Sequence, residues 1–498
     1  VRPTAEQLFG PAGTPRVVVV GAGFGGIAAG VYLRRAGIET FTIYESSSGI
    51  GGTWWDNTYP GAEVDVGSHL YCFSFKPNDW TRTHARQPEL QKYLEETVDE
   101  FGLRPHLRLG VNVESATWDD ARHLWCVRLD DGTVDECHVV ISGVGFLNVP
   151  RYPSWPGLDE FAGPKFHTAR WEPDHDLAGK IVAVVGTGSS ATQVVPAIQP
   201  IVGKLYVFQR EPGWVLPKGE RDFTDEERTA FASAWRRRGE RLRLKWLLER
   251  NLLGGAIWRP GSRKQRAREQ LCRAYIARQF KDRPDLAEAV TPQYPYPGKR
   301  PIFAGTFYPA LKKDNVELVP KAVAAVTPGG IVDADGVERA VDVIVMATGF
   351  QPANYLARLP VLGRDGRALH DHWAGEPRAY LGITVPGFPN FFMLYGPGTN
   401  GGEIVTMLEA QAKYAVRALR RMMRKRVSAV EVKPNFEERW YRWLQSKMAG
   451  TSWTVTNNYF KSETGKVVTQ WPYGNWIYTV LTRVLGRVSE TTRRRAAV

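Results

Sequence analysis

Apolar runs that end in glycine punctuate this chain. Val17 to Val20 is a continuous β-branched run that stops at Gly21-Ala22-Gly23-Phe24-Gly25-Gly26, after which apolar and small residues recur at helical spacing through Ile27, Val31 and Leu33 to Gly37. Such a run reads as a strand buried on both faces, and the spacing after it as a helix. A second run, Thr40 to Tyr44, closes on Glu45. The same order returns at Ile181 to Val185, followed by Gly186-Thr187-Gly188-Ser189-Ser190-Ala191, an apolar helix through Val194, Val195 and Ile198, and a strand at 204–209 that ends in Arg210. The pattern predicts two strand-turn-helix-strand units about 165 residues apart. Two further apolar strands, Val139 to Gly145 and Val343 to Gly349, also end in glycine and read as chain crossings between two domains.

Each glycine-rich turn has a chemical reading. In G-x-G-x-x-G after a strand and before a helix, Gly21 permits the tight turn, Gly23 lets a pyrophosphate approach the backbone, and Gly26 allows close helix packing. Glu45, 19 positions past Gly26, is placed to accept hydrogen bonds from ribose hydroxyls of an adenine dinucleotide. The second unit has the G-x-G-x-x-A form, Gly186, Gly188 and Ala191, and replaces the acid with Arg210. A guanidinium pairs with a ribose 2′-phosphate that a carboxylate repels, so NADP(H) is expected over NAD(H), with Glu211 beside it offsetting part of that field. Two nucleotide units of different preference imply electron transfer between two cofactors, FAD and NADPH. The fold class expected is α/β, with two Rossmann-like domains: an FAD-binding domain at 1–148 and 350–498, and an NADP-binding domain at 149–349 that carries a helical insert at about 221–290.

Composition fits a folded globular chain. The 498 residues are 43% hydrophobic and 23% charged, ordinary values that exclude fibrous or wholly disordered architecture. Lys plus Arg number 65 against 52 Asp plus Glu, a net +13 that raises a nucleic-acid or anionic-membrane reading. Residues 221–285 hold 18 Lys plus Arg against nine Asp plus Glu, so nine of those thirteen charges sit in one segment, and the remainder includes Arg493, Arg494 and Arg495. The segment reads as basic amphipathic helices with a solvated face, and a membrane-surface approach is the lesser alternative. Cys72, Cys126, Cys137 and Cys272 form no C-x-x-C pair, which argues against a disulfide scaffold and against an FAD-linked disulfide reductase. No apolar stretch reaches the length of a membrane span and no signal-peptide pattern opens the chain, so a cytoplasmic protein is expected. His370-Asp371-His372 has no third ligand in frame, reads as a loop, and no metal site is expected.

The run Gly51-Gly52-Thr53-Trp54-Trp55-Asp56-Asn57-Thr58-Tyr59-Pro60-Gly61 resembles the flavin-contacting segment of class B flavoprotein monooxygenases, in their type I Baeyer-Villiger branch. Between the two units, Phe161, Gly163, His167 and Trp171 match that branch's F-x-G-x-x-x-H-x-x-x-W-[PD] signature, with Glu172 in place of the last Pro or Asp. The resemblance spans Val17 to about Trp471. It implies a monooxygenase that consumes NADPH and inserts one atom of O2 beside a ketone carbonyl through a C4a-peroxyflavin, giving an ester or lactone. The alternative is an N- or S-oxygenating flavin monooxygenase.

The resemblance also allots roles. Arg300, in Gly298-Lys299-Arg300-Pro301, matches the catalytic arginine, a permanent cation near developing negative charge. Asp65 matches the active-site aspartate that would orient it. Cofactor contacts are expected at Gly21, Gly23, Phe24, Gly26, Glu45, Gly52, Thr53, Trp54, Asp65, Tyr71 and Val113, and at Gly186, Thr187, Gly188, Ser189, Ser190, Gln193, Arg210, Lys299 and Trp453. Lys299 is expected to reach the NADP phosphate, and Trp453 either to approach the nicotinamide or to pack in the core. His167 and Trp171 read as hinge residues, and Gly396 to Gly402 as a turn near the flavin. The partners expected are a hydrophobic ketone and O2, with no nucleic acid, no stable membrane insertion, and a monomer or weak homo-oligomer.

Overall fold

The computed structural model describes residues 3–486 and 489–493; Val1, Arg2, Arg494 and Arg495 lie outside the described residues. In chain order its principal elements are β1 (Val17–Val20), α1 (Phe24–Arg34), β2 (Phe41–Glu45), β3 (Leu107–Leu109), β4 (Val139–Ser142), β5 (Lys165–His167), β6 (Ile181–Val185), α2 (Ala191–Ile198) and β7 (Lys204–Phe208). They continue with α3 (Ala234–Leu252), α4 (Arg263–Gln279), β8 (Val316–Val319), β9 (Val343–Met346), β10 (Phe391–Met393), α5 (Ile404–Lys425) and α6 (Asn475–Leu485).

Two five-stranded parallel sheets organise the molecule. The first has the order β10-β4-β1-β2-β3 and the second β8-β7-β6-β9-β5. The first sheet therefore takes its edge strand from the far side of the second unit. All four residues of β1 and of β4 are buried, as strands of a parallel sheet covered on both faces must be. One cover is α1 with α5 packed across it: a Cβ on Gly25 would lie 3.3 Å from Leu408 Cδ2. Val182, Val184, Val194, Val195, Ile198 and Val343 form the second unit's core.

The two chain crossings lie side by side. Arg151 N–H donates to Gly349 O at 2.8 Å, Gln351 N–H donates to Val149 O at 3.1 Å, and Pro150 bridges Phe350 in antiparallel fashion. His167, at the end of β5, adds a ring contact to Gly349 O at 3.1 Å.

Residues 221–290 form helices, of which α3 and α4 are the longest. The inner face of α3 is anchored: Arg241 Nη1 donates to Leu70 O at 2.9 Å and Cys72 O at 2.6 Å, and Leu244 approaches Gly67. The outer face is solvated as expected, and Trp235, Leu242 and Trp246 are exposed along it among the basic residues. His370 and His372 also depart from expectation, lying in a helical turn, Leu369–Trp373, where His370 Nε2 donates to Tyr355 O at 2.8 Å. Among the described residues no group of three or more His, Cys, Asp or Glu could hold a metal ion, and no helix is long and apolar enough to cross a membrane.

Candidate active site between the two dinucleotide units

The first turn is shaped by backbone contact. A Cβ on Gly26 would fall 1.8 Å from Gly21 O, so only hydrogen fits where α1 turns back on β1. Gly23 caps α1 without a side-chain bond, and the first N–H groups of a helix have no intrahelical partner. Gly52 comes close to it, its Cβ position lying 3.1 Å from Gly23 Cα. A backbone cradle of donors at a helix N-terminus suits a pyrophosphate. Phe24 packs on Tyr71 and Phe73, and Trp54 Nε1–H donates to the Tyr71 hydroxyl oxygen at 3.2 Å. Thr53 opens the short helix Thr53–Asp56, while Val113 is buried at the start of the strand Val113–Asp119. Glu45, buried at the end of β2, accepts from Ala22 N–H at 2.7 Å through Oε2 and from Ser47 N–H at 2.9 Å through Oε1. Its carboxylate thus fixes the glycine turn, and two acceptor oxygens retain capacity for a ribose.

The second turn repeats the device. A Cβ on Gly186 would lie 2.4 Å from Ala347 O, whereas one on Gly188 would meet nothing within 4 Å. Ser190 caps α2 with no side-chain bond, and Thr187 and Ser189 lie in the turn before it. Both turns fit the phosphate groups of a dinucleotide by this test. Arg210 is exposed and enters no ion pair among the described residues. Lys299 pairs with Glu211 instead of standing free for a phosphate, and stacks over Tyr294 with its Nζ 5.2 Å from the ring centroid. The pair neutralises the carboxylate that would have opposed Arg210.

Arg300 and Asp65 meet although 235 residues separate them: Nη2–H donates to Oδ2 at 2.7 Å. The Arg300 side chain is 43% exposed and Asp65 16%. Asp65 is the only hydrogen-bond partner of Arg300 among the described residues, which leaves most of a five-donor fork open. Burial works against its charge, but Asp65, Tyr459 and Tyr395 outweigh it and hold the guanidinium pKa above its ordinary value.

The loop that carries Asp65 is braced on the other unit. Gln193 Oε1 accepts from Tyr59 O–H at 3.0 Å and from Glu63 N–H at 3.3 Å, and its Nε2–H donates to Glu63 O at 3.0 Å. Gln193, expected as a cofactor contact, thus commits both amide atoms to this brace. Gly61, at φ +83°, lies so close to α2 that a Cβ would come 2.6 Å from Gln193 O. Buried Lys218 secures the same loop through Glu63 Oε1 at 2.6 Å. Burial, the first cause, with Asp65 adding to it against a Ser190 hydrogen bond, pushes the Tyr59 hydroxyl up to about 12. The loop that carries Arg300 is held from the C-terminal side: Asn458 Nδ2–H donates to Gly298 O at 2.9 Å and Ser452 Oγ–H to Tyr296 O at 2.9 Å.

Two residues serve packing. Trp453 is 2% exposed and packs on Trp258, ring centroids 4.4 Å apart. His167 is fully buried; Nδ1 accepts from Ala169 N–H at 3.0 Å, so Nε2 carries the proton it gives to Gly349 O. Burial lowers its pKa to about 4, which keeps it neutral, and its Nε2–H ties the end of β5 to the second crossing. Lys218, Arg241, Trp258 and Asn458 were given no role by the sequence, and Tyr59 entered only within the run from Gly51 to Gly61. Only Tyr59 carried a signal, the Tyr-Pro-Gly turn just before Asp65.

Comparison with known proteins agrees with this geometry. The NAD(P)-binding Rossmann-like domain family matches residues 19–87. A Baeyer-Villiger monooxygenase of Pseudomonas aeruginosa is 39% identical over 480 residues, 94% of this chain and 89% of that protein. One of Streptomyces coelicolor is 39% identical over 92% of this chain and 88% of its own. Among solved structures, cyclohexanone monooxygenase from Rhodococcus sp. Phi1 bound to NADP+ superimposes with a TM-score of 0.85 at 32% identity, covering 96% of this chain and 99% of that one. An oxidised steroid monooxygenase bound to NADP gives a TM-score of 0.85 at 30% identity, covering 96% and 99%.

Proposed function

The chain belongs to the Baeyer-Villiger monooxygenases, an NADPH-dependent flavoprotein family, and on that premise we propose that it converts a hydrophobic ketone into an ester or lactone, inserting one atom of O2. The observation that carries the reading is the Arg300–Asp65 pair between two phosphate cradles, with the guanidinium held charged and mostly unpaired.

The residues divide the work. The first turn, with Gly21, Gly23, Gly26, Gly52 and Glu45, would hold FAD; the second, with Gly186, Gly188, Ser190 and Arg210, would hold NADPH, and Arg210 favours the 2′-phosphate. FAD supplies the redox chemistry when bound, taking hydride from NADPH and activating O2. Arg300 stabilises negative charge as it develops on the substrate's carbonyl oxygen and on the attacking oxygen, and its pKa rules it out as a proton donor at neutral pH. Asp65 orients the fork through Nη2 and leaves the other donors free to turn toward the reacting atoms. Sheet membership supports the division of the chain into 1–148 with 350–498 and 149–349.

The test is aerobic turnover of NADPH with cyclic and linear ketones and 18O2, with products read by mass. Lactone or ester carrying one labelled oxygen is expected, and oxidation confined to amines or sulfides would refute the reading. Arg300→Ala should keep NADPH-driven flavin bleaching and lose product by about 10²–10³-fold, as removal of one fixed charge stabiliser typically does.

A further inference from the structure

Among the described residues nothing covers the outer face of α3, and its composition is specific. Trp235, Leu242 and Trp246 fall at i, i+7 and i+11, one line along a helix, and Leu253 continues it just past the last turn. Trp235 is 79% exposed, Leu242 67%, Trp246 58% and Leu253 56%. Basic residues flank the line: Arg236, Arg243 and Arg250 on one side, Arg238 and Lys245 on the other. Arg238 lies 5.6 Å over the Trp235 ring and Arg250 4.8 Å over that of Trp246. Of the acids on this helix, Glu240 is tied to Arg243 and Glu249 accepts from Trp476 N–H at 3.0 Å.

That last bond joins the end of α3 to the start of α6, which presents a row of its own. Trp476, Val480 and Val484 are exposed one turn apart, with Arg483 exposed beside them. The opposite sides of both helices are committed inward, through Arg241 and Leu244 on α3 and Tyr478 and Thr482 on α6. We propose that these two rows form a peripheral docking surface for a bilayer containing anionic phospholipid. The helices would lie in the interface with indoles and leucines among the acyl chains and guanidinium groups at the headgroup phosphates.

Charge selects this occupant. Trp and Leu on one line between Arg and Lys is the pattern of a helix lying in a membrane interface. The surrounding segment, 221–285, carries an excess of nine positive charges, and each Lys or Arg near an anionic leaflet strengthens binding by about fivefold. A second copy of the chain would set Arg236, Arg238 and Arg250 against their own like across a twofold axis. A nucleic-acid backbone offers nothing to cover the apolar line.

The experiment uses the full chain loaded with FAD and measures cosedimentation with vesicles of phosphatidylcholine containing phosphatidylserine, against phosphatidylcholine alone. Binding at least about tenfold stronger to the anionic vesicles is expected. Trp235→Ser with Trp246→Ser, and separately Arg236→Glu with Arg238→Glu, should each weaken it at least about tenfold, while flavin absorbance and NADPH oxidation in solution stay at wild-type values and show that the variants fold. Vesicle binding is read without turnover, so it stands apart from the ketone chemistry. Equal or absent binding to the two vesicle types would overturn the proposal. So would concentration-dependent self-association that the tryptophan variants abolish, which would assign the surface to a second copy.

Discussion

Gly61→Ala tests how the active-site loop is held, because the substitution acts only through geometry. The residue sits at φ +83°, and an added Cβ would come 2.6 Å from Gln193 O and 3.2 Å from Ala197 Cβ. Left-handed backbone costs a non-glycine residue about 1–2 kcal/mol, and forcing a methyl against fixed backbone costs about 1–3 kcal/mol more. Part of that is relieved if the loop lifts from α2, so a net loss of about 2–4 kcal/mol is expected. One kcal/mol shifts Tm by about 2–4 °C in a melting unit of 150–250 residues, so a fall of at least about 4 °C should appear by circular dichroism. Lifting the loop also draws Asp65 away from Arg300. NADPH consumption should continue while product per NADPH falls. Gln193→Ala is the companion variant: it removes three hydrogen bonds and no backbone strain, so it should reproduce the lost coupling with a smaller drop in Tm. If Gly61→Ala leaves both Tm and product per NADPH unchanged, the brace between Gln193 and the loop is refuted.

Other variants probe the nucleotide preference and the buried histidines. Arg210→Ala should raise KM for NADPH about tenfold or more, the worth of a charge-assisted bond to phosphate, with KM for NADH little changed; Lys299→Ala, by releasing Glu211, should shift preference the same way. His69, His84, His167 and His372 are each lowered to about 4, in every case first by burial. The unfolded chain therefore binds more protons than the folded one below about pH 6.5, and stability should fall as pH drops from 6.5 toward 4 and level off above. His167→Gln should reduce the slope of denaturation free energy against pH by up to about one proton within that window.

The parts of this fold that could be read in advance are those whose physics is local. Val17 to Val20 and Ile181 to Val185 announce themselves because a strand covered on both faces is apolar throughout, and the turns after them because Gly21 O leaves no room for a side chain at Gly26 and Ala347 O none at Gly186. Arg300 was another matter. It lies in a loop with no periodicity, 235 residues from Asp65, and only resemblance singled it out. The brace at Gln193, the Lys218–Glu63 pair and the Arg241 anchor were not legible, since each joins side chains distant in sequence that carry no pattern of their own. Helix α3 reads as basic and amphipathic, but its apolar residues lie on two opposite faces, Leu244 inward and Trp235, Leu242 and Trp246 outward, so its spacing does not mark which face packs. Trp453 is the converse, where one tryptophan among 17 has no spacing that reveals Trp258 as its partner.

The pairing of the two crossings has an evolutionary corollary. Because Arg151 and Gln351 bond to Gly349 and Val149, the chain leaves the first sheet and returns to it through a neck two strands wide. The ends of the intervening stretch are therefore neighbours, and domains with adjoining ends tolerate insertion and transplantation. The second unit is built as a cassette: a lineage could lengthen its helices, change its nucleotide or exchange it whole without redrawing the sheet that receives it.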